Sequence, residues 1–253
     1  MYMKKSRATI LEKIRRNRKN FLYGTLIAGA SLGGIKGYQA LRFELAALEI
    51  LKSEGGYDDG TKTDQETKFG VTNPTLTDFK EKFPDEAKGF PESVKDLSLS
   101  QAKTIMRVAF YEHYKLDELN NASLAEMLLD AVYNHDYNTF RGFAKEGLIA
   151  VMKMRGEDIE KRPRNWKEIP PFLNNCSDKE QEAFYNAFVQ ARIDFFEKGG
   201  YINKFKGLKK RAKKFVGKYK SGPLSQNMDI LPKEKQNTLH WFDAVKLAQK
   251  ERD

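Results

Sequence analysis

Cysteine is nearly absent from the sequence, since Cys176 is the only one among 253 residues. A single cysteine cannot form a disulfide within the chain, and it excludes a cysteine-rich metal site. Histidine is also scarce. His113, His135 and His240 are the only three, and none belongs to a motif with the spacing of a zinc-binding helix. Composition therefore gives no indication of a metal site, and a lone histidine is usually structural or exposed.

Acidic residues are missing where basic residues accumulate. Residues 198–220 hold ten lysines and arginines and no acid, and residues 1–20 hold eight basic residues against one acid. The net charge of the chain is +10, so the rest of the chain is mildly acidic. We expect both basic segments to meet polyanions, with lipid, cell wall and nucleic acid as candidates. Nucleic acid is disfavoured, because the aromatic residues of 198–220 are too sparse for a stacking platform.

Long hydrophobic runs are also rare. Residues 21–35, "FLYGTLIAGASLGGI", form an uncharged stretch of fifteen residues, whereas a membrane span needs about 20. A basic segment before a short apolar stretch is typical of a secretory signal or signal anchor. Continuing to residue 43 would give a marginal span, and a buried core helix is the alternative. We predict membrane contact through residues 21–43, with the remainder of the chain on the outer side.

A helical pattern follows from about residue 40. Ala47, Ile50, Leu51 and Glu54 recur with the spacing of one helix face, and the two glycines after Glu54 favour a helix end. Capping boxes are predicted at Ser98–Gln101 and at Ser123–Glu126. Alternating strands are scarce, although "GGYDDGT" and "TKFGVT" could form a small hairpin beside the first core helix. The sequence therefore predicts a mainly α fold with a short β element.

Glu54 lies on the apolar face of its helix, at the end. Burial disfavours a charged carboxylate and raises its pKa, and the partial negative charge of a helix C-terminus acts in the same direction. Such a glutamate could stay protonated near neutral pH and donate its proton to a leaving oxygen, as glycosidases require. The following loop supplies several carboxylates and hydroxyls for a second role. The alternative is an ordinary glutamate with its carboxylate in water.

The residues after Glu54 resemble a known motif. Residues 50–72, "ILKSEGGYDDGTKTDQETKFGVT", are similar to the "hLxxEGGYxxxxxDxGGxTxxGIT" motif of glycoside hydrolase family 108, the phage endolysins with N-acetylmuramidase activity. The resemblance implies a lysozyme-like fold with Glu54 as the catalytic acid and Thr67 as the hydroxyl that holds the attacking water. The loop here is one residue short and lacks the Gly-Gly pair. Asp64, three residues before Thr67, is our prediction for the second carboxylate, with Asp59 as its rival.

Two later stretches extend the resemblance. The stretch containing "SLAEMLLDAVYNHD" is similar to a helical part of the same family, and Asp130 and Asn134, four residues apart, share one side of that helix. We predict that they bind substrate beside the cleft together with Tyr57, although a buried hydrogen-bonding pair would explain them equally. The stretch "ARIDFFEKGGYINKFKGLKKRAKKF" resembles the peptidoglycan-binding module that follows the catalytic part.

The resemblance implies a domain order and a function. The predicted parts are a basic N-terminal segment with a hydrophobic helix (1–43), a lysozyme-like catalytic domain (44–155), a peptidoglycan-binding-like helical module (156–220) and a C-terminal extension (221–253). The implied activity is hydrolysis of the β-1,4 bond after N-acetylmuramic acid in bacterial peptidoglycan, without cofactor or metal. We expect the protein in a phage virion or in the host inner membrane, with its catalytic part facing the wall. The alternative is a membrane-anchored virion structural or wall-binding protein with a degenerate lysozyme fold.

Overall fold

The structure, a computed structural model, describes residues 35–61, 65–198 and 206–221, and these residues form a mainly helical protein with one small sheet. The helices in this part of the chain are α1 (Ile35–Glu54), α2 (Asn73–Lys82), α3 (Leu99–Ile105), α4 (Ala122–Asn134), α5 (Tyr137–Arg155), α6 (Ile169–Asn174), α7 (Asp178–Lys198) and α8 (Lys206–Lys213). A π-helical segment, Met106–Glu112, continues α3, and short 3-10 turns lie at Val94–Asp96, Leu116–Glu118, Ile159–Lys161 and Trp166–Glu168. This architecture confirms the predicted mainly α, lysozyme-like fold class.

The sheet is antiparallel and has the order β1 (Tyr57–Asp59), β2 (Glu66–Lys68) and β3 (Val71–Thr72). The turn between β2 and β3 has only two residues, Phe69 and Gly70, with φ of 55° and 78°. Positive φ at both positions is the requirement of the type I′ turn, which suits the twist of a hairpin. The hairpin predicted between "GGYDDGT" and "TKFGVT" is present, because β1 lies in the first stretch and pairs antiparallel with β2. The tight turn between β2 and β3 was not predicted.

Helix α4 lies at the centre of the core. Its buried apolar residues cover most of its circumference, as expected for a helix surrounded by others: Leu124, Ala125, Met127, Leu128, Leu129, Ala131 and Val132. Helices α5 and α7 pack closely beside it. Gly147 permits this approach, because a Cβ there would lie 2.7 Å from the Phe184 ring. One hydrophobic cluster extends from Phe43 to Phe215, so the predicted catalytic and wall-binding parts share a core within the described residues.

The helix caps test the predicted start signals. Ser98 and Gln101 form the predicted capping box at the start of α3. The capping box predicted at Ser123 and Glu126 is wrong, because Asn121 caps α4 by accepting a hydrogen bond from the Leu124 amide. Ser123 lies inside the helix instead, where its hydroxyl accepts from the Lys220 amide at 3.1 Å.

The predicted membrane segment covers residues 21–43, and its residues 21–34 lie outside the described residues. Its last residues belong to α1, where Phe43 is buried and Arg42 donates hydrogen bonds to the carbonyls of Leu116, at 3.1 Å, and Asp117, at 2.8 Å. Among the residues that the structure describes, no helix has the length and apolar character to cross a membrane. The predicted boundary between residues 43 and 44 falls inside α1, and 222–253 lie outside the described part. The domain division stays a prediction.

Candidate active site

Glu54 is the last residue of α1, where the chain turns toward the sheet. Gly55 follows with φ of 84°, the left-handed conformation that ends helices and favours glycine. Ile50 and Leu51 on the same helix are buried, and the Glu54 side chain is 13% exposed. The predicted helix end and the predicted burial of this carboxyl group therefore both agree with the structure.

The β2–β3 turn packs directly against Glu54. A Cβ at Gly70 would lie 3.0 Å from both Cγ and Cδ of Glu54 and 2.8 Å from Cε1 of Tyr133. The Tyr133 hydroxyl donates a 2.7 Å hydrogen bond to the carbonyl of Phe69 in the same turn. Glycine at position 70 is thus needed for its positive φ and for the space that Glu54 and Tyr133 occupy.

An arginine from the other end of the chain binds Glu54. Arg211 on α8 donates from Nη1 to Oε1 of Glu54 and, at 2.6 Å, to Oδ1 of Asn134. Asn134 in turn donates to the Asp130 carbonyl at 2.7 Å. Three predicted site residues, Glu54, Asp130 and Asn134, are therefore brought together around one guanidinium group.

Asp130 lies between two arginines. Its Oδ2 binds Arg192 Nη1 on α7 at 2.6 Å, and its Oδ1 lies 3.9 Å from Arg211 Nε. Both Asp130 and Arg192 are buried, so each charge depends on the other for compensation. Arg192 also donates from Nε to Nε2 of His135 at 3.1 Å. Two buried arginines and two carboxyl groups thus join four helices around the end of α1.

The arginines and the carboxyl groups of this network shift the pKa values of their neighbours in opposite directions. Burial raises the pKa of Glu54, the nearby Asp130 carboxylate raises it further, and Arg211 lowers it, with burial the dominant cause. Burial and Arg192 lower the pKa of His135 to about 3, so this histidine is neutral at ordinary pH. Its ring contacts Phe143 and Phe196, which gives it a packing role.

The sheet places the other predicted residues. Thr67 pairs with Asp58 of β1 and with Thr72 of β3, so these three side chains share one face of the sheet. Asp59 pairs with Glu66 on the opposite face. Asp64 lies outside the described residues. In the described part of the chain, neither Thr67 nor Tyr57 makes a hydrogen bond to Glu54.

Tyr57 belongs to a separate hydrogen-bonded group on the sheet. Its side chain is 43% exposed and donates its hydroxyl hydrogen to Oε1 of Glu66, whose Oε2 accepts from Asn73 Nδ2 at 2.6 Å. These two hydrogen bonds lower the pKa of Glu66. The hydrogen bond between Tyr57 and Glu66 also raises the pKa of Tyr57 to about 12.

A cavity of about 400 Å³ lies beside the network, between α1, α4 and residues 211–220. Its walls include Ser53, Asp130 and Arg211, but not Glu54. Glu126 also lines it, and burial raises the pKa of Glu126 to about 7. Within the residues that the structure describes, no group of three metal-ligating side chains occurs.

Sequence reasoning missed Arg211, Arg192 and Tyr133 as parts of this site. Arg192 stands in an otherwise apolar helix face with Phe188 and Phe196, and an isolated arginine there is a signal of a buried ion pair. Arg211 carries no such signal, because it stands within a run of lysines. The sequence around Tyr133 gave no sign of its hydrogen bond to the Phe69 carbonyl.

A half-buried glutamate that ends a helix beside a small antiparallel sheet, in a mainly α protein, is the arrangement expected of a lysozyme-like glycoside hydrolase. The sequence model of the family glycosyl hydrolase 108 matches residues 47–135. This match runs from α1 through the sheet to the end of α4. It includes Glu54, Thr67 and Asn134 but neither Arg192 nor Arg211. It supports a glycoside hydrolase over roughly a third of the chain. No curated protein matches the sequence.

Proposed function

We propose that this protein is a peptidoglycan hydrolase, a muramidase that cleaves the β-1,4 bond between N-acetylmuramic acid and N-acetylglucosamine. The observation that carries the proposal is Glu54. It ends α1 inside the matched region, only 13% exposed, and burial raises its pKa. A carboxyl group with a raised pKa can hold a proton near neutral pH and deliver it to the glycosidic oxygen.

The second role belongs to the sheet and its loop. Thr67 positions the attacking water, and Asp64 polarises it or stabilises the oxocarbenium-like transition state. Asp58 is the alternative to Asp64 that the strand register favours, because it shares a face with Thr67, whereas Asp59 lies on the other face. The separation between Glu54 and the second carboxylate would distinguish an inverting from a retaining reaction.

The other predicted residues divide by exposure. Tyr57 presents an exposed ring at the start of β1, where it can contact a sugar. Asp130 is buried and bound to Arg192, so its contribution to substrate binding is indirect, through the arginines that it holds. Asn134 has the same indirect role, since its side chain bonds Arg211 and the Asp130 carbonyl.

The proposed setting is a phage virion or the host inner membrane, with the catalytic part facing the wall. Residues 21–43 would contact the membrane. The basic stretch 198–220 would contact the anionic wall or membrane surface, because opposite charges steer such encounters.

The test is digestion of purified peptidoglycan, followed by borohydride reduction and mass spectrometry of the products. The wild-type protein should release fragments that end in reduced N-acetylmuramic acid, and Glu54→Gln should be slower by about 10²–10⁴-fold. Glu66→Gln is the matched control, because it makes the same carboxylate-to-amide change on the sheet and should retain activity within about tenfold.

Two results would count against the proposal. Products that end in reduced N-acetylglucosamine would identify a different bond. If wild type and Glu54→Gln are equally inactive on several Gram-negative and Gram-positive walls, the degenerate structural or wall-binding protein becomes the better account.

A further inference from the structure

The side chain that binds Glu54 comes from outside the matched region. Arg211 follows Glu54 by 157 residues and lies on α8, in the basic stretch that the sequence predicted to contact a polyanion. Lys210 and Lys213 on the same helix are exposed, whereas Arg211 is 7% exposed. One cation of a basic helix is thus turned inward onto the candidate catalytic acid.

We propose that Arg211 is a positioning residue for the reaction at Glu54, so that α8 forms part of the active site. This inference rests on the proposed function, because it assigns Arg211 a task in the same proton transfer. Nothing in the glycosyl hydrolase 108 match assigns it, since the match ends at residue 135.

The first argument is orientation. Arg211 donates to Oε1 of Glu54, and an arginine has hydrogen-bond donors only. The acid form of Glu54 must therefore carry its proton on Oε2, the oxygen that the arginine does not bind. Fixing which oxygen donates the proton is a form of preorganisation, and loss of such orientation reduces rate more than binding.

The second argument is that Arg211 is itself held in place. Asn134 accepts from the same Nη1 at 2.6 Å, and Asp130 lies 3.9 Å from Nε. Asp130 is fixed in turn by Arg192 on α7. The guanidinium group is therefore held by side chains of α4 with support from α7, as a positioning group requires.

The third argument concerns charge. The groups that face Glu54 are Arg211 from α8 and Asp130, Asn134 and Tyr133 from α4, with Arg192 of α7 behind them. Burial and Asp130 raise the pKa of Glu54, and Arg211 opposes them. Removing the guanidinium removes the largest effect that opposes burial, so the pKa of Glu54 rises. The high-pH limb of kcat, where the acid loses its proton, then moves to higher pH.

The experiment compares Arg211→Gln, Arg211→Lys and Lys153→Gln in the full chain, with kcat and KM measured on soluble glycan fragments across pH. Lys153→Gln is the control, because it removes one positive charge from an exposed helix position, on α5, outside the basic stretch 198–220. We expect Arg211→Gln to lower kcat at the optimum by at least about tenfold with KM within about threefold, and to move the high-pH limb upward. Arg211→Lys should restore the limb and only part of kcat. Lys153→Gln should behave as wild type.

The proposal is overturned if Arg211→Gln and Lys153→Gln share the same kcat and the same high-pH limb. Circular dichroism and thermal midpoints establish that the variants are folded. If Arg211→Gln does not fold, Arg211→Lys decides, because full wild-type kcat in a variant that lacks the guanidinium contradicts a positioning role.

A separate measurement distinguishes this inference from the proposed function. The pKa of the Glu54 carboxyl group is followed by carbon NMR in wild type and Arg211→Gln, which needs no activity. A higher pKa in the variant supports control of Glu54 by Arg211, and an equal pKa contradicts it. If the wild-type protein cleaves no wall while the NMR titration still shows the shift, the proposed function fails and the electrostatic contact stands.

Discussion

Two glutamates, one at the end of a helix and one in the small sheet, have pKa values that are shifted in opposite directions. Glu54, at the end of α1, binds an arginine and yet has a raised pKa. Glu66, in β2, binds only a tyrosine and an asparagine and has a lowered pKa. The difference lies in burial, because desolvation dominates at Glu54 and hydrogen bonding dominates at Glu66. The presence of an ion-pair partner alone therefore does not decide whether the pKa of a carboxyl group is raised or lowered.

The two regions also differ in where their partners come from. The partners of Glu66 lie within nine residues of it, at Tyr57 and Asn73. Those of Glu54 come from α4 and α8, far along the chain. The hydrogen bonds of Glu66 are thus made by residues nearby in the sequence. The surroundings of Glu54 depend on the packing of α1 against α4 and α8.

The largest effect is expected at Gly70, where the sheet meets the helical body. Gly70→Ala places a Cβ against Glu54 and Tyr133 at a positive φ, so it should cost about 1–2 kcal/mol of backbone strain and a further 1–3 kcal/mol of overpacking. Activity should fall by at least about 100-fold, because a displacement near 1 Å at the acid has that cost. Chemical denaturation and wall digestion measure both.

Gly89 offers a matched control for this change. Its φ is 79°, nearly that of Gly70, but no atom lies within 4 Å of its expected Cβ. Gly89→Ala should therefore lower the free energy of unfolding only by the cost of backbone strain, and it should keep full activity. Equal losses of stability and activity in the two variants would show that the contact between the β2–β3 turn and Glu54 contributes to neither.

The next effect concerns Glu126, a second carboxyl group whose pKa is raised by burial among the helices. A pKa that moves from 4.5 to about 7 corresponds to about 3 kcal/mol. Because the folded-state pKa is raised, the cost is absent below pH 4.5, grows between about pH 4.5 and 7, and is complete above pH 7. Glu126→Gln should raise the free energy of unfolding at pH 8 by up to about 3 kcal/mol and change little at pH 4.

Urea denaturation at both pH values measures this difference. Glu146→Gln, which changes an exposed glutamate on α5, is the control and should alter the free energy of unfolding by less than about 0.5 kcal/mol at either pH. A stabilisation by Glu126→Gln that is the same at pH 4 and pH 8 would contradict a buried, titrating carboxyl group.

A smaller effect is expected at Tyr133. Tyr133→Phe removes the hydrogen bond to the Phe69 carbonyl and leaves that acceptor without its partner, at a cost of about 1–2 kcal/mol. Activity should fall less than in Gly70→Ala, since the ring still fills its place beside the turn. Tyr137→Phe, on an exposed tyrosine, should be neutral in the same thermal and activity measurements.

The smallest effect is expected on the sheet. Tyr57→Phe removes one hydrogen bond to Glu66, so the pKa of Glu66 should rise toward 4.5. The stabilisation from this contact is present above pH 4.5 and is lost as the pH falls through the lowered pKa. Carbon NMR should show Glu66 titrating later on acidification than an ordinary glutamate, and Glu54 earlier. An unchanged Glu66 pKa in the variant would exclude Tyr57 as the cause.

Local signals predicted much of this protein. The helix end at Glu54 and the pairing of "GGYDDGT" with "TKFGVT" were predicted from glycine placement and apolar spacing, both of which act within a few residues. The cap of α4 was misplaced, because Asn121 and Ser123 are both good capping residues and only tertiary packing selects between them. The contact of Arg211 with Glu54 has no local signature, since periodicity does not report pairing across 157 residues.

The ion pair between Arg211 and Glu54 has a consequence for biosynthesis. A chain growing on the ribosome contains the acid long before the arginine that binds it. Until α8 emerges, Glu54 has no cationic partner, and every nascent chain that stops short of residue 211 lacks one part of the site. The proposed wall-cleaving activity would thus be completed only after residue 211 has been synthesised.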